Sequence, residues 1–342
     1  MQNKKLAVVI PCWNNIDIVA DAVDSLLAQS IKLKLIVVEN GSEDGSGEFL
    51  KKKYGSKIVL LENQKNLGFA GGVNTGIRWA LEEDFEYIGL FNTDARADVK
   101  WAESLIKLLE KDEKIGAAAG KILRLDGKHF DTAGDLFYSW GVFSPRGRDS
   151  LDKGQYEEEE EIFSACAGAS IYRSAMFKDV GLFDEDLFAY YEDGDISFRA
   201  RNYGWKILYM PKAVTYHEVG GSSKKVSGFA MKMSLRNQIL VLVKNVPLRY
   251  YIPLMFRFKF LWLGGIIHAF KNKAGKEAVW AVGSCALLLP KKFMQRLKIQ
   301  HIRRKRGIKP SEIRKLWVEG LPKEMAEYTT IRVAKKIVFW ER

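Results

Sequence analysis

Cysteine is scarce in this 342-residue chain: Cys12, Cys166 and Cys285 stand far apart and form no CxxC pair. That spacing excludes a disulfide framework and a cysteine-rich zinc site, and it suits a reducing, cytosolic setting. Long apolar runs are missing as well. The charge-free apolar stretches of the C-terminal third reach about nine and about thirteen residues, short of the ~20 that a spanning helix needs. At the N-terminus about seven apolar residues follow two lysines, and polar Asn14-Asn15 stand where a signal peptide would carry a small-residue cleavage site, so a first core strand is expected there. No internal repeat is present. The dinucleotide fingerprint GxGxxG is absent, because Gly68, Gly71, Gly72 and Gly76 do not spell it, and an NAD enzyme loses its main support.

What is present is a large core and an uneven charge. Hydrophobic residues make up 47% of the chain and aromatic residues 12%, which rules out a disordered protein. The net charge is +12, but residues 241–342 hold 23 basic against 6 acidic residues, net +17, while residues 1–240 are net −5. A surface so basic calls for an acidic partner, either anionic lipid or nucleic acid. Arg257 and Lys259 interrupt an aromatic run, as suits a helix lying in a membrane interface with its basic side chains reaching outward, so membrane-surface attachment ranks above both a transmembrane anchor and nucleic acid; a buried helical subdomain or oligomer contact would explain the apolar runs but not the concentrated charge. The acidic run Glu157 to Glu161 reads as a solvated loop.

From residue 5 to about 115 apolar runs alternate with helical patterns, from "KLAVVIPCW" through "LKLIVVEN" and "KIVLLEN" to "YIGLF". That alternation predicts right-handed βαβ units and a mostly parallel, Rossmann-like α/β sheet. Beyond residue 115 strands are separated by longer loops, and from about residue 245 a basic amphipathic helical region follows.

Four strand ends carry polar marks: "PCWNN", "ENGSEDGS", "ENQKNLGFAGGVNTG" and "NTDA". In an open α/β sheet such ends form one crevice, so four distant segments converge on one ligand. Asp94 suits a hard divalent cation bridging a diphosphate. Glu39 is either a turn carboxylate or a hydrogen-bond acceptor for a base or ribose, and the glycines before the third helix are either a phosphate cradle or a place of tight packing. In "GLFDEDLFAYYEDGDISFRARNYGW", Glu192, Asp193 and Asp195 open a helix behind an aromatic wall, where a carboxylate could act as a general base toward a sugar hydroxyl. His217, one of four histidines, closes an apolar strand near glycines.

These segments, in this order and spacing over roughly residues 5 to 240, resemble the family 2 glycosyltransferases of GT-A fold, in particular the rhamnosyltransferase-like enzymes of bacterial surface polysaccharide assembly. The resemblance implies a nucleotide-sugar-binding half over 1–115, an acceptor-binding and catalytic half over 116–244, and a membrane-association region over 245–342. It implies that Pro11, Asn14 and Glu39 line the nucleoside pocket, and that Asn66, Gly71, Gly72, Asn74, Asn92 and Thr93 approach the donor. Asp94 and His217 would hold Mg2+ or Mn2+. Asp193 would be the base with Glu192 beside it, and Gly168 and Tyr191 would meet the acceptor. Where the family commonly has Asp-x-Asp this chain reads Asn92-Thr93-Asp94, and Glu39 replaces an aspartate. The implied reaction is inverting transfer from a nucleoside-diphosphate sugar, such as dTDP-rhamnose or a UDP-hexose, to a saccharide or polyprenyl-diphosphate-linked acceptor at the cytoplasmic face of the membrane. The rival reading is a non-catalytic protein of the same fold that binds a membrane surface or nucleic acid.

Overall fold

The computed structural model describes residues 5–218, 228–322 and 325. Gly220 to Ser223 and the end of the chain, parts of the sequence reading, lie outside the described residues. The first half follows the predicted alternation: β1 (Leu6–Cys12), α1 (Val19–Leu27), β2 (Lys34–Asn40), α2 (Ser46–Tyr54), β3 (Val59–Asn63), α3 (Gly68–Glu82), β4 (Tyr87–Phe91), β5 (Ala95–Ala97) and α4 (Trp101–Leu109). Strands β3, β2, β1 and β4 lie parallel in that order. Residues Leu6 to Ile10 and Leu35 to Val38 are buried because helices cover both faces of the sheet, so these strands read as continuous apolar runs. On one face α3 presses its glycines against β1: a Cβ on Gly76 would sit 2.4 Å from a methyl of Val9.

The second half adds strands to the same sheet and also starts a second, three-stranded one. It comprises β6 (Ile115–Arg124), β7 (Phe130–Thr132), β8 (Asp135–Tyr138), β9 (Phe143–Pro145), β10 (Glu160–Glu161), β11 (Ala169–Arg173), α5 (Ser174–Val180), α6 (Glu192–Tyr203) and β12 (Lys206–His217). Strand β11 runs antiparallel between β4 and β6, and β12 lies parallel to β6. The result is the mixed, mainly parallel α/β sheet of a GT-A fold.

The acidic run is solvent-exposed throughout, and Glu157 to Glu159 form the expected loop. Glu160–Glu161 is strand β10, antiparallel to β12. Its carboxylates also meet cations drawn from distant segments: Glu157 pairs with Lys121, Glu159 with Lys111 at 2.6 Å, Glu160 with Arg146 and Glu161 with Arg201.

Helices α7 (Phe229–Asn245), α8 (Leu248–Lys271), α9 (Gly275–Lys305) and α10 (Pro310–Arg314) follow, and β13 (Trp317–Val318) returns to pair with β8. A buried ionic network fastens α7 and α9 to the segment before α6. Lys244 lies 2.6 Å from Asp184 and 2.8 Å from Asp195, and Lys292 bridges Asp184 and Asp186 at 2.6 and 2.7 Å. The sequence reading put the apolar stretches short of a span, but α8 runs unbroken through Arg257 and Lys259 for 24 residues, and by length and composition alone it is long and apolar enough to cross a membrane. Its exposed apolar side chains, Leu248, Ile252, Phe256, Leu263, Ile267 and Phe270, recur at helical spacing along one stripe.

Candidate active site

The C-terminal ends of β1, β2 and β4 open onto a cavity of about 760 Å³, which also takes in the N-terminus of α6 and the end of β12. One wall is built by register. Chain leaving β4 passes Asn92, Thr93 and Asp94 and enters β5, which pairs antiparallel with the end of β12 so that Ala95 faces His217. Asp94 Oδ1 thereby comes 3.0 Å from His217 Nε2, although 123 residues separate them. The other ring nitrogen, Nδ1, lies 2.8 Å from Asp131 of β7, and Arg148 holds Asp131 from its far side at 2.8 Å. Burial opposes charge on His217, but its hydrogen bonds to Asp131 and Asp94 outweigh that cost and raise its pKa from 6.5 to about 9. Burial likewise opposes charge on Asp131, whose bond to His217 and the nearby Arg148 charge hold it below the usual carboxylate range.

This donor set fits a hard divalent cation. A carboxylate oxygen and an imidazole nitrogen adjoin in one cavity wall, and the imidazole is oriented from behind by a second carboxylate, the arrangement that fixes metal-bound histidines. Asn92 steadies the wall: its N–H donates to Gly168 O at 2.9 Å, and its amide nitrogen lies 3.4 Å from His217 Nε2. Thr93 is buried and accepts a 2.8 Å bond from Asn15 Nδ2.

The first turn of α6 supplies three carboxylates whose surroundings separate their chemistry. Asp195 is fully buried; burial raises its pKa, but the Lys244 and Arg199 charges outweigh that and hold it low, as befits a structural anion. Asp193 lines the cavity, and burial pushes its pKa up against the stabilising N–H groups of Gly194 and Ala167. Glu192 is pushed up by burial and then by the Asp193 charge, and its Oε2 has no hydrogen-bond partner. A residue the sequence reading missed, Asp135 at the start of β8, stands beside Asp193. Burial, followed by the Asp193 charge, raises Asp135 to about 7. Ligand atoms of Asp135, Cys166 and Asp193 all lie within 4.8 Å of one another. Burial keeps the Cys166 thiol protonated, so this trio suits a hard cation less well than Asp94 and His217 do. Burial raises the pKa of both carboxyls, and the Asp193 charge raises Asp135 further.

Of the other residues expected at the site, Pro11, Asn66, Asn92, Thr93, Gly168 and Tyr191 line the cavity together with Glu192. Asn14, Glu39, Gly71, Gly72 and Asn74 are not in its lining. Glu39 accepts the N–H groups of Gly41 and Ser42 at 3.2 and 2.6 Å, the turn role, and Asn14 Oδ1 accepts Glu43 N–H in the neighbouring loop. Gly72 lies where a Cβ would meet Asn40 at 3.0 Å and Pro11 at 3.3 Å, and a Cβ on Gly71 would meet Leu67 at 2.6 Å, which is tight packing. Asn74 spends its amide on Phe183 and Glu185, tying α3 to the segment before α6. Asn40 joins these parts: it donates to Gly68 O at 3.0 Å and accepts from Asn63 and Leu67 N–H.

The cavity wall beside Asp193 is aromatic and strained. Phe188, Tyr190 and Tyr191 line the cavity with φ of 65°, 69° and 70°. Residues without a glycine's freedom held at such angles cost on the order of 1–3 kcal/mol each and persist only where neighbours enforce them. Gly68 makes room for this loop, since a Cβ there would lie 2.4 Å from Phe188 O.

The chain is similar to known proteins. The model of the family described as Glycosyl transferase family 2 matches residues 7–181. Poly-beta-1,6-N-acetyl-D-glucosamine synthase of Staphylococcus aureus is 23% identical over 211 residues, covering 61% of this chain and 48% of that protein, so the chain spans about half of that relative's length. N-acetylglucosaminyl-diphospho-decaprenol L-rhamnosyltransferase of Mycobacterium tuberculosis is 26% identical over 216 residues, covering 58% and 70%. Among solved structures, the mannosyltransferase PcManGT of Pyrobaculum calidifontis in complex with GDP-Man and Mn2+ aligns with TM-score 0.53 at 15% identity, over 90% of this chain and 87% of that one. Asp193 and His217 lie beyond the segment that the family model matches.

Proposed function

The chain belongs to glycosyl transferase family 2, and from that membership we propose that it is an inverting, metal-dependent glycosyltransferase that moves a sugar from a nucleoside diphosphate to a lipid-linked saccharide. The observation that carries this reading is the presence in one cavity of a partly exposed, high-pKa carboxylate, Asp193, and of the Asp94–His217 pair suited to a divalent cation. The donor lies against the ends of β1, β2 and β4, in the half of the sheet formed by residues 5–115. The acceptor lies against Tyr190 and Tyr191, in the half formed by residues 116–244.

Asp193 takes the proton from the acceptor hydroxyl while that oxygen attacks the anomeric carbon, and the bond from that carbon to the diphosphate oxygen breaks on the opposite side. Burial raises the pKa of Asp193 and so strengthens it as a base, and Asp135 lies beside it with its own pKa raised to about 7. Asp94 and His217 would hold Mg2+ or Mn2+, which when bound offsets the charge on the departing diphosphate. Arg148 adds a cation at the same cavity. The mannosyltransferase bound to GDP-Man and Mn2+ supports a metal-assisted nucleotide-sugar donor, and the mycobacterial relative's name, with its decaprenol-linked substrate and L-rhamnosyl group, supports a polyprenyl-diphosphate acceptor and rhamnose as one candidate sugar.

The region from residue 245 onward seats the enzyme on an anionic, cytoplasmic membrane surface. The exposed apolar stripe of α8 and the exposed Leu287, Phe293 and Met294 of α9 support this, as does the net charge of +17 over residues 241–342. To test the reaction, the protein is incubated with Mn2+, a panel of nucleotide sugars and a prenyl-diphosphate-linked N-acetylglucosamine. One donor should be consumed with release of its nucleoside diphosphate, and the new glycosidic bond should have inverted anomeric configuration by NMR. A retained configuration refutes the mechanism, and no release from any donor refutes the function.

A further inference from the structure

The aromatic loop before α6 is held in a conformation its own sequence does not favour. Phe188 has φ 65° and ψ −64°, and Ala189 N–H donates to Leu187 O at 2.7 Å. That is the γ-turn with positive φ, rare and strained for a residue with a side chain. Tyr190 and Tyr191 follow in the left-handed region, and no glycine stands between residues 182 and 193 to ease the turn.

Two adjacent residues of α7 grip this loop, and neither had a role in the reading of the sequence. Asn237 Nδ2 donates to the carbonyl oxygens of Leu187, Ala189 and Tyr190 at 2.8, 2.8 and 2.7 Å. Arg236 Nη2 donates to those of Asp186 and Leu187 at 2.9 and 2.8 Å. Arg236 Nε donates to Asn237 Oδ1 at 2.7 Å. A guanidinium only donates, so the amide oxygen must face it and the amide nitrogen must face the carbonyls. Asn237 is fully buried and Arg236 nearly so. From the opposite side Ala70 N–H, in the first turn of α3, donates to Phe188 O at 3.0 Å. The loop is thus fixed between α7 and α3, with the rings of Phe188, Tyr190 and Tyr191 in the cavity beside Asp193.

We propose that Arg236 and Asn237 are positioning residues for the transfer reaction: by clamping the carbonyls of residues 186–190 they set the aromatic surface against which the acceptor is presented to Asp193. This rests on the reading of the cavity as a transferase site. The two N–H of the Asn237 amide, one of them shared between carbonyls, and the Arg236 fork thus direct their hydrogen bonds at the one strained loop that carries the cavity's aromatic rings. The guanidinium also lies 5.2 Å from the Trp280 ring centre, so the clamp is continuous with α9.

The test uses Asn237→Asp in the full chain, because a carboxylate keeps the shape and the Arg236 partner but offers no N–H to the three carbonyls. Hydrogen exchange of peptides covering 186–193 should accelerate at least tenfold while the rest of the chain exchanges as in the parent. Affinity for UDP or dTDP with Mn2+ should stay within twofold. Transfer to the prenyl-diphosphate-linked acceptor should fall at least tenfold in kcat/KM, with donor hydrolysis to water unchanged. Should Asn237→Asp not fold, Arg236→Lys, which loses the two-carbonyl fork but keeps a cation near Trp280, carries the same measurements. Unchanged exchange at 186–193, or faster exchange spread over the whole chain, overturns the proposal. If the parent protein transfers no sugar, the family-based function fails, and the exchange data still decide the clamp.

Discussion

Replacing Asp193 by asparagine removes the proposed general base while keeping a side chain that can accept the 2.7 Å bond from Gly194 N–H. Loss of a positioned base lowers turnover by about 10²- to 10⁴-fold. Stability should move the other way. Asp135 is raised from 3.8 to about 7, first by burial and second by the Asp193 charge. A carboxyl raised in the folded state costs stability progressively from its unfolded pKa up to its folded one. A rise of roughly three units corresponds to ~4 kcal/mol, and the Asp193 share, smaller than that of burial, is at most about 2 kcal/mol. Asp193→Asn should therefore melt a few degrees above the parent at pH 8, with the advantage shrinking as pH falls toward 4, where the folded carboxyls are protonated and the unfolded ones about half so. The assay is thermal unfolding from pH 4 to 8, run beside turnover and nucleotide binding. Turnover within tenfold of the parent, or a lowered melting temperature accompanying the loss, refutes the reasoning.

Other consequences follow from the same geometry. His217, with its pKa near 9, binds a proton where the metal would sit, so apparent Mg2+ affinity should rise about tenfold per pH unit from 7 to 8.5. His217→Asn should flatten that slope. In metal-free protein the His217 ion pairs contribute stability that is complete below pH 6.5 and lost as pH rises through about 9, so a melting temperature that climbs over that range in the parent relative to His217→Asn contradicts the pairing. Gly76→Val should cost about 1–3 kcal/mol through overpacking against Val9, read as a lower denaturant midpoint. Phe256→Asp with Ile267→Asp should weaken flotation with anionic vesicles at least tenfold and leave nucleotide binding unchanged; undiminished flotation removes α8 from the membrane contact.

Local pattern made much of this legible in the sequence. Continuous apolar runs named β1, β2 and β4 because both faces of those strands are covered, and the polar residues at their ends marked the crevice. Asp94 and His217 were singled out although the pairing of β5 with β12 that joins them could not be read from sequence. Asp131 and Asp135 went unnoticed because they lie on short strands in a loop-rich stretch, where no periodicity or spacing signals which way a carboxylate points. The same holds for Arg236 and Asn237, which sit in a helical pattern and act only through carbonyls about 50 residues away. The glycines of α3 were ambiguous between phosphate contact and packing, and only the distances to Val9, Asn40 and Leu67 decide for packing. What one dimension could not supply was the partners and lengths of the charged segments: Glu157 to Glu161 stay exposed but meet cations from distant segments, and Arg257 and Lys259 sit on the expected helix, which runs unbroken for 24 residues.

The most direct measurement is calorimetric titration of UDP, dTDP, GDP and CDP into the protein with and without Mn2+, repeated on Asp94→Ala. Binding of one nucleotide that requires Mn2+ and weakens at least tenfold in Asp94→Ala is the result expected of a metal-assisted donor site. Binding of none of them, or binding that neither Mn2+ nor Asp94→Ala alters, contradicts it.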